Sequence, residues 1–362
     1  MKLDHRILLQ QKIEAGCTPI VGKKILHTAP HHDDIVLSYH AYAIKNLAGN
    51  ENHILYATSG FNGVRDEFIV RVARTIDQTT IAVAMKLSYQ QILQQFTQAY
   101  HDKNKQQMFV CKMYMKVQFV AEIFDCKNND AITDRFNWLL VYFGSKKAGE
   151  EDIELVQELK GRIRESEADR KWMVCKGDIS NVNHFRASFY HADEQTFDNE
   201  MESDIERLTL YLDTVQPDII TIALDPCGIG PKNHFTTLQL VVAALQRSKH
   251  TNVEIFGYRN VWSNFELQEA SIIIPVTQSE IDAAKAIFVN CFATQKSTLF
   301  FGTDIDGNFV DQAEQIQKIQ WQQVQDSLGD AFENNQTLIV DKVVGAIFMK
   351  KLTIDALAGM IV

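Results

Sequence analysis

The sequence contains no C-x-x-C pair. Its six cysteines, Cys17, Cys111, Cys126, Cys175, Cys227 and Cys291, are scattered singly through 362 residues. That spacing excludes a zinc ribbon and a small disulfide scaffold, and makes reduced thiols in a cytoplasmic protein the expectation. Also missing is any apolar run of about 18 residues, so no membrane span is expected. The start, Met1-Lys2-Leu3-Asp4-His5-Arg6, lacks the apolar core of a secretory signal. An excess of basic charge is lacking too. The net charge of −10 argues against nucleic acid as a partner, whose binding surfaces are basic. There is no internal repeat and no convincing interdomain linker.

What is present is an ordinary globular composition, 46% hydrophobic and 23% charged, in a chain long enough for a large core. One stretch stands out. Thr28-Ala29-Pro30-His31-His32-Asp33-Asp34 follows the strand-like run Lys23–Ala29 and opens into a helical period at Leu37, Ala41, Ile44 and Ala48. A second strand, Asn52–Thr58, ends at the turn Ser59-Gly60-Phe61-Asn62-Gly63. Strand, helix and strand so close together form a βαβ unit, which requires a parallel sheet. Ligands of such sheets gather beyond the carboxyl ends of the strands, where both His31–Asp34 and Ser59–Gly63 fall.

Further along, residues 64–86 suggest a helix, and 88–145 read as a largely helical insertion. A helix follows through Leu155, Leu159 and Ile163, then a strand edge at Val182–Phe185 and an acidic helix at Asp204–Val215. Ile219–Leu224 is the clearest buried strand. It delivers the bent loop Asp225-Pro226-Cys227-Gly228-Ile229-Gly230-Pro231-Lys232-Asn233-His234, and a helix begins near His234. Strands are expected at Val253–Tyr258, Ser271–Val276 and Thr337–Val340, with helices at Glu280–Cys291 and Gln312–Ser327. The fold class is therefore α/β, a Rossmann-like, mostly parallel sheet flanked by helices. The simplest organisation is one domain over 1–362, with the 88–145 insertion and a C-terminal extension at 331–362. The apolar residues of Val344–Val362 would pack on the domain or form a subunit contact, so an oligomer is one reading.

A catalytic zinc takes three protein ligands from His, Asp, Glu or Cys and keeps a position open. His31 and Asp34 from one loop, with His234 from a distant one, fit that pattern. Asp33 is then available as a base toward water. Another divalent metal would suit the same donors. Most of the remaining histidines, His27, His40, His53, His101, His184, His191 and His250, read as hydrogen-bonded structural or surface residues.

Pro30-His31-His32-Asp33-Asp34 resembles the (A/P)-H-(P/H)-D-D signature of the LmbE-like superfamily, zinc-dependent N-deacetylases that include the N-acetylglucosaminyl-phosphatidylinositol deacetylases. Thr58-Ser59-Gly60, Lys146–Glu150 with Ile163–Ala168, and Asp225–His234 are similar to further segments of that family. Tyr258-Arg259, Trp262 and Ala293-Thr294-Gln295-Lys296 resemble a branch that forms the second half of bacterial glucosamine-6-phosphate deaminase-like proteins. Nothing in these 362 residues resembles the deaminase half, so ring-opening deamination is not implied.

The resemblance implies His31, Asp34 and His234 as zinc ligands and Asp33 as general base. The substrate would be an N-acetylated sugar or its conjugate, losing acetate. Arg164 matches a substrate-binding position, set against its alternative as a surface ion pair with Glu167. Asn62, His184 and Tyr258 are further substrate-binding candidates, and His32 is structural. Ile35, Ser38-Tyr39-His40 and Pro231 depart from the family pattern. Pro231 stands where many members place an oxyanion-stabilising histidine, a duty for which His184 is a candidate by residue type. The alternatives are a sugar- or metabolite-binding protein without turnover, and an amidase of a non-sugar conjugate.

Overall fold

The computed structural model describes residues 2–147, 149–296, 308–329 and 343–361. They fall into two compact units. One comprises Met1–Thr58, Asn181–Ala286 and Leu299–Val362, and the other Ser59–Ser180 with Ile287–Thr298. The second unit is wider than the 88–145 segment that composition marks.

The first unit is built on a seven-stranded sheet: β1 (Lys24–Ala29), β2 (Glu51–Tyr56), β3 (Val182–His184), β4 (Ile219–Ala223), β5 (Glu254–Tyr258), β6 (Ile272–Thr277) and β7 (Val343–Leu352). Their order is β3-β2-β1-β4-β5-β7-β6. The first five are parallel, with β1 paired to both β2 and β4. β7 is antiparallel to β5 and β6. The architecture is α/β and Rossmann-like, as the pattern of strands and helices predicts. All five residues of β4 are buried, as a central parallel strand covered on both faces requires. The expected strand at Thr337–Val340 lies outside the described residues. The run at 343–352, set apart above as part of an extension, is instead an interior strand of the sheet.

Polar groups inside this sheet are satisfied. Thr28 Oγ1 donates to the Thr221 carbonyl at 2.6 Å. The His27 ring lies between the Tyr39 hydroxyl, 3.3 Å away, and Asn52 Oδ1, 3.2 Å away. Tyr39 also breaks the helix after β1. With φ −144° and ψ 36° it separates Asp34–Ser38 from His40–Lys45. Its buried ring packs on Tyr258, and its hydroxyl is 2.8 Å from Thr221 Oγ1.

The second unit is helical between Asp66 and Lys176. Asp77, Ser88, Asn104 and Asn128 each accept a backbone N–H at the start of the helix that follows. Such side chains replace the missing intrahelical partners of a first turn. The single helix expected over 64–86 is two, Asp66–Thr75 and Gln78–Ala84.

Candidate metal centre

Reading across the sheet, chain order reverses between β1 and β4. That is the switch point where loops leaving neighbouring strands diverge and open a crevice. The loop after β1 carries His31 to Asp34, the loop after β4 carries Asp225 to His234, and Asn260 follows β5.

His31, Asp34 and His234 converge there, one ligand atom from each lying within 4.8 Å of the others. His31 Nδ1 is 2.9 Å from His234 Nε2 and 3.7 Å from Asp34 Oδ2, and His234 Nε2 is 3.8 Å from the same oxygen. Tetrahedral zinc with bonds near 2.0–2.1 Å separates its ligand atoms by about 3.3 Å, so the triangle has the right size. Asp34 is held by the His31 backbone N–H, which donates to Oδ2 at 2.6 Å.

His234 is held from behind. Its Nδ1 is 2.7 Å from Asp225 Oδ2. Asp225 in turn accepts from the Asn260 backbone N–H at 2.9 Å and from Asn260 Nδ2 at 2.7 Å. The Ser38 hydroxyl donates to Asn260 Oδ1 at 2.5 Å. With its Nδ1 proton committed to a carboxylate, the imidazole turns the lone pair of Nε2 toward Asp34 and His31, the arrangement metal-binding histidines adopt. The donor set and its support fit a divalent cation.

The loop before His234 needs its glycines. Gly228 and Gly230 have φ of 77° and 79°, and a Cβ on Gly230 would sit 2.7 Å from Trp262 Cγ. Pro231 then starts the helix Lys232–Arg247 with φ −65°, which places His234 in its first turn.

Electrostatics follow from burial. Asp34 is pushed up to about 7 by desolvation and by the nearby charges of Asp33 and Asp225, against the opposing pull of His234. For His234 burial works downward, but Asp34 and Asp225 outweigh it and the net shift is upward. Both shifts favour the protonated forms, which a bound cation would oppose. Asp33 is 6% exposed and begins the Asp34–Ser38 helix. Its charge raises the pKa of both Asp34 and His234.

The other sequence candidates separate. His32 is outside the triangle, stacked on Tyr56 with Nε2 3.2 Å from His184 Nδ1. His184 is half-buried at the end of β3, stacked on Tyr56 as well. Tyr258 is 1% exposed, and its hydroxyl donates to the Thr28 carbonyl at 2.9 Å.

In the second unit, Asn62 is exposed on the turn Phe61–Gly63. Arg164 is not on the surface. Its Nη1 donates to Glu167 Oε2 at 2.9 Å and to Thr294 Oγ1 at 3.2 Å, and both ionic side chains are at most 3% exposed. Glu167 also accepts from the Thr294 N–H, at 2.8 Å, and Gln295 Nε2 donates to the Gly63 carbonyl at 2.8 Å. The residues at Arg164, Glu167, Thr294 and Gln295 therefore form one buried polar cluster.

Sequence reading missed Asp225, Asn260 and Ser38. Asp225 had a signal, an acid directly beyond the most apolar strand. Asn260 and Ser38 had none.

Fold and site together define an α/β protein with a candidate metal centre at its strand switch point. No family model matches the chain. It is similar to the "Putative glucosamine-6-phosphate deaminase-like protein" of Bacteroides thetaiotaomicron, 22% identical over 293 residues, which are 78% of this chain and 37% of that protein. The chain thus spans just over a third of the length of this curated relative. Among the described residues no helix is long and apolar enough to cross a membrane.

Proposed function

We propose that the protein is a metal-dependent N-deacetylase of the LmbE-like type. In this reading it removes acetate from an N-acetylated amino sugar or its conjugate. The observation that carries the reading is the His31–Asp34–His234 triangle with His234 fixed by Asp225. The relative's name points to amino-sugar chemistry, and the resemblance at Pro30–Asp34 points to deacetylation.

A divalent cation such as zinc, held by those three residues, would polarise the substrate carbonyl and make water a nucleophile near neutral pH. Asp33 takes the proton from water and returns it to the amine nitrogen as the C–N bond breaks. Asp225 keeps the His234 proton at Nδ1, and the Ser38–Asn260 pair keeps Asp225 in place.

The test combines metal analysis with acetate release across a panel of N-acetyl sugars. Asp33→Asn should retain stoichiometric metal and lose turnover by a factor of about 10² to 10⁴. His234→Ala should lose the metal. A metal-free protein in which His234→Ala changes nothing would falsify the proposal. Pro231 brings no donor to the position where many family members have a histidine, which favours a second reading, binding without turnover. Bound metal with no acetate released from any substrate would select it.

A further inference from the structure

We propose that the second unit carries a separate binding site for a small amphipathic anion, an apolar or aromatic body bearing a phosphate or carboxylate. A cavity of about 510 Å³ lies between the helices Asp66–Thr75 and Lys105–Ile123, with Ala293 and Lys296 also lining it. Its size is that of small-molecule sites.

The two helices line it with the same spacing. Phe68, Arg71, Val72 and Thr75 come from one, and Phe109, Lys112, Met113 and Lys116 from the other. Both sets recur at i, i+3, i+4 and i+7, one face of a helix. Val72, Met113 and Lys116 are buried at its base, while Arg71, Thr75 and Phe109 are exposed at its rim. Each helix puts a cation at the second position of this face, and the longer helix puts another at the fourth. With Lys296, four cations line the cavity and no carboxylate does. Among the described residues none of the four forms an ion pair with an acid.

Lys116 is only 4% exposed, and its Nζ donates to the Lys112 carbonyl at 3.0 Å. Lys112 Nζ donates to the Asn290 carbonyl at 3.0 Å. Neutral carbonyls do not offset the cost of burying an ammonium. Burial pushes Lys112 down to about 8 and Lys116 well below its ordinary value, with neighbouring Arg170 adding to both. Glu167, the carboxylate that pulls the other way, is already bound to Arg164. Arg71 and Lys116 also both lie within 6 Å of the Phe68 ring centroid, at 5.8 and 5.5 Å. The walls therefore supply aromatic surface and uncompensated positive charge side by side. An anion with an apolar body satisfies both.

The test is titration calorimetry with 1-naphthyl phosphate, 1-naphthoate and neutral 1-naphthol. It is run on the full chain carrying His234→Ala, so that the candidate metal centre cannot bind the anion. The phosphate or the carboxylate should bind at least about tenfold more tightly than the naphthol, and whichever binds better identifies the head group. Lys112→Met and Lys116→Met should abolish that preference while leaving the melting temperature equal or higher, because each removes an unpaired buried charge. Should either variant fail to fold, Arg71→Gln at the exposed rim still reports, with affinity for the anion falling at least about threefold at low salt. Equal binding of naphthol and the anions, or a preference that survives these substitutions, overturns the proposal.

Discussion

At the scale of single residues, the candidate site depends on the side chains behind the triangle as much as on the triangle itself. Asp225 has no place in the triangle, yet it sets the tautomer of His234. Asp225→Asn should leave the fold intact and weaken metal affinity about 10- to 100-fold, measured by competition against a chelator of known strength. Lys171 gives a second case. It is fully buried, its Nζ has no hydrogen-bond partner, and burial pushes it down to about 7. Between pH 7 and its ordinary value of 10.5 the unfolded chain holds a proton that the folded chain does not. Stability therefore rises with pH across that window. Lys171→Met should raise the melting temperature most at and below pH 7, with the gain shrinking toward pH 10.5. A gain independent of pH in melting curves would contradict this. At this scale the candidate ligands of the first loop were legible, because His31-His32-Asp33-Asp34 concentrates donors in four positions. The supporting residues were not, because an Asn or a Ser acquires its meaning only from the carboxylate that folding brings beside it.

At the scale of elements, the parallel strands were legible from short apolar runs bounded by turns. The antiparallel strand β7 was not. Its sequence Val343–Leu352 reads as apolar without a clear period, because five central residues are buried in succession. A strand covered on both faces and a buried helix segment look alike over such a length. The helix after β1 posed the opposite difficulty. Its period continues through Tyr39, whose ring is held by His27, Thr221 and Tyr258 at the point where the helix breaks. Close approach between elements is equally invisible in sequence. Gly16 on the helix Lys2–Cys17 faces β6 so tightly that a Cβ there would lie 2.0 Å from the Ile273 carbonyl oxygen. Gly16→Ala should therefore destabilise the protein by about 2–3 kcal/mol, read from urea unfolding midpoints. A helix that merely frayed at this end would tolerate the change.

For the whole molecule, the order of the sheet decides what can be removed. β7 pairs with β5 on one side and β6 on the other, so ending the chain before Val343 leaves a gap inside the sheet. That truncation should abolish cooperative thermal unfolding and expose hydrophobic dye-binding surface. Retention of a sharp transition would show that β5 and β6 can close without their intermediary.

β7 also imposes a schedule on synthesis. Ile255 of β5 must wait for Leu352, about a hundred residues later in translation, before its outer edge is covered. Until then a nascent chain carries an unpaired, buried-type strand edge, the kind of surface that recruits other strands. The parallel strands and the triangle of His31, Asp34 and His234 belong to the portion already made. A ribosome paused anywhere between residues 260 and 343 therefore holds a chain whose candidate site residues are all present and whose sheet is still open to a stranger.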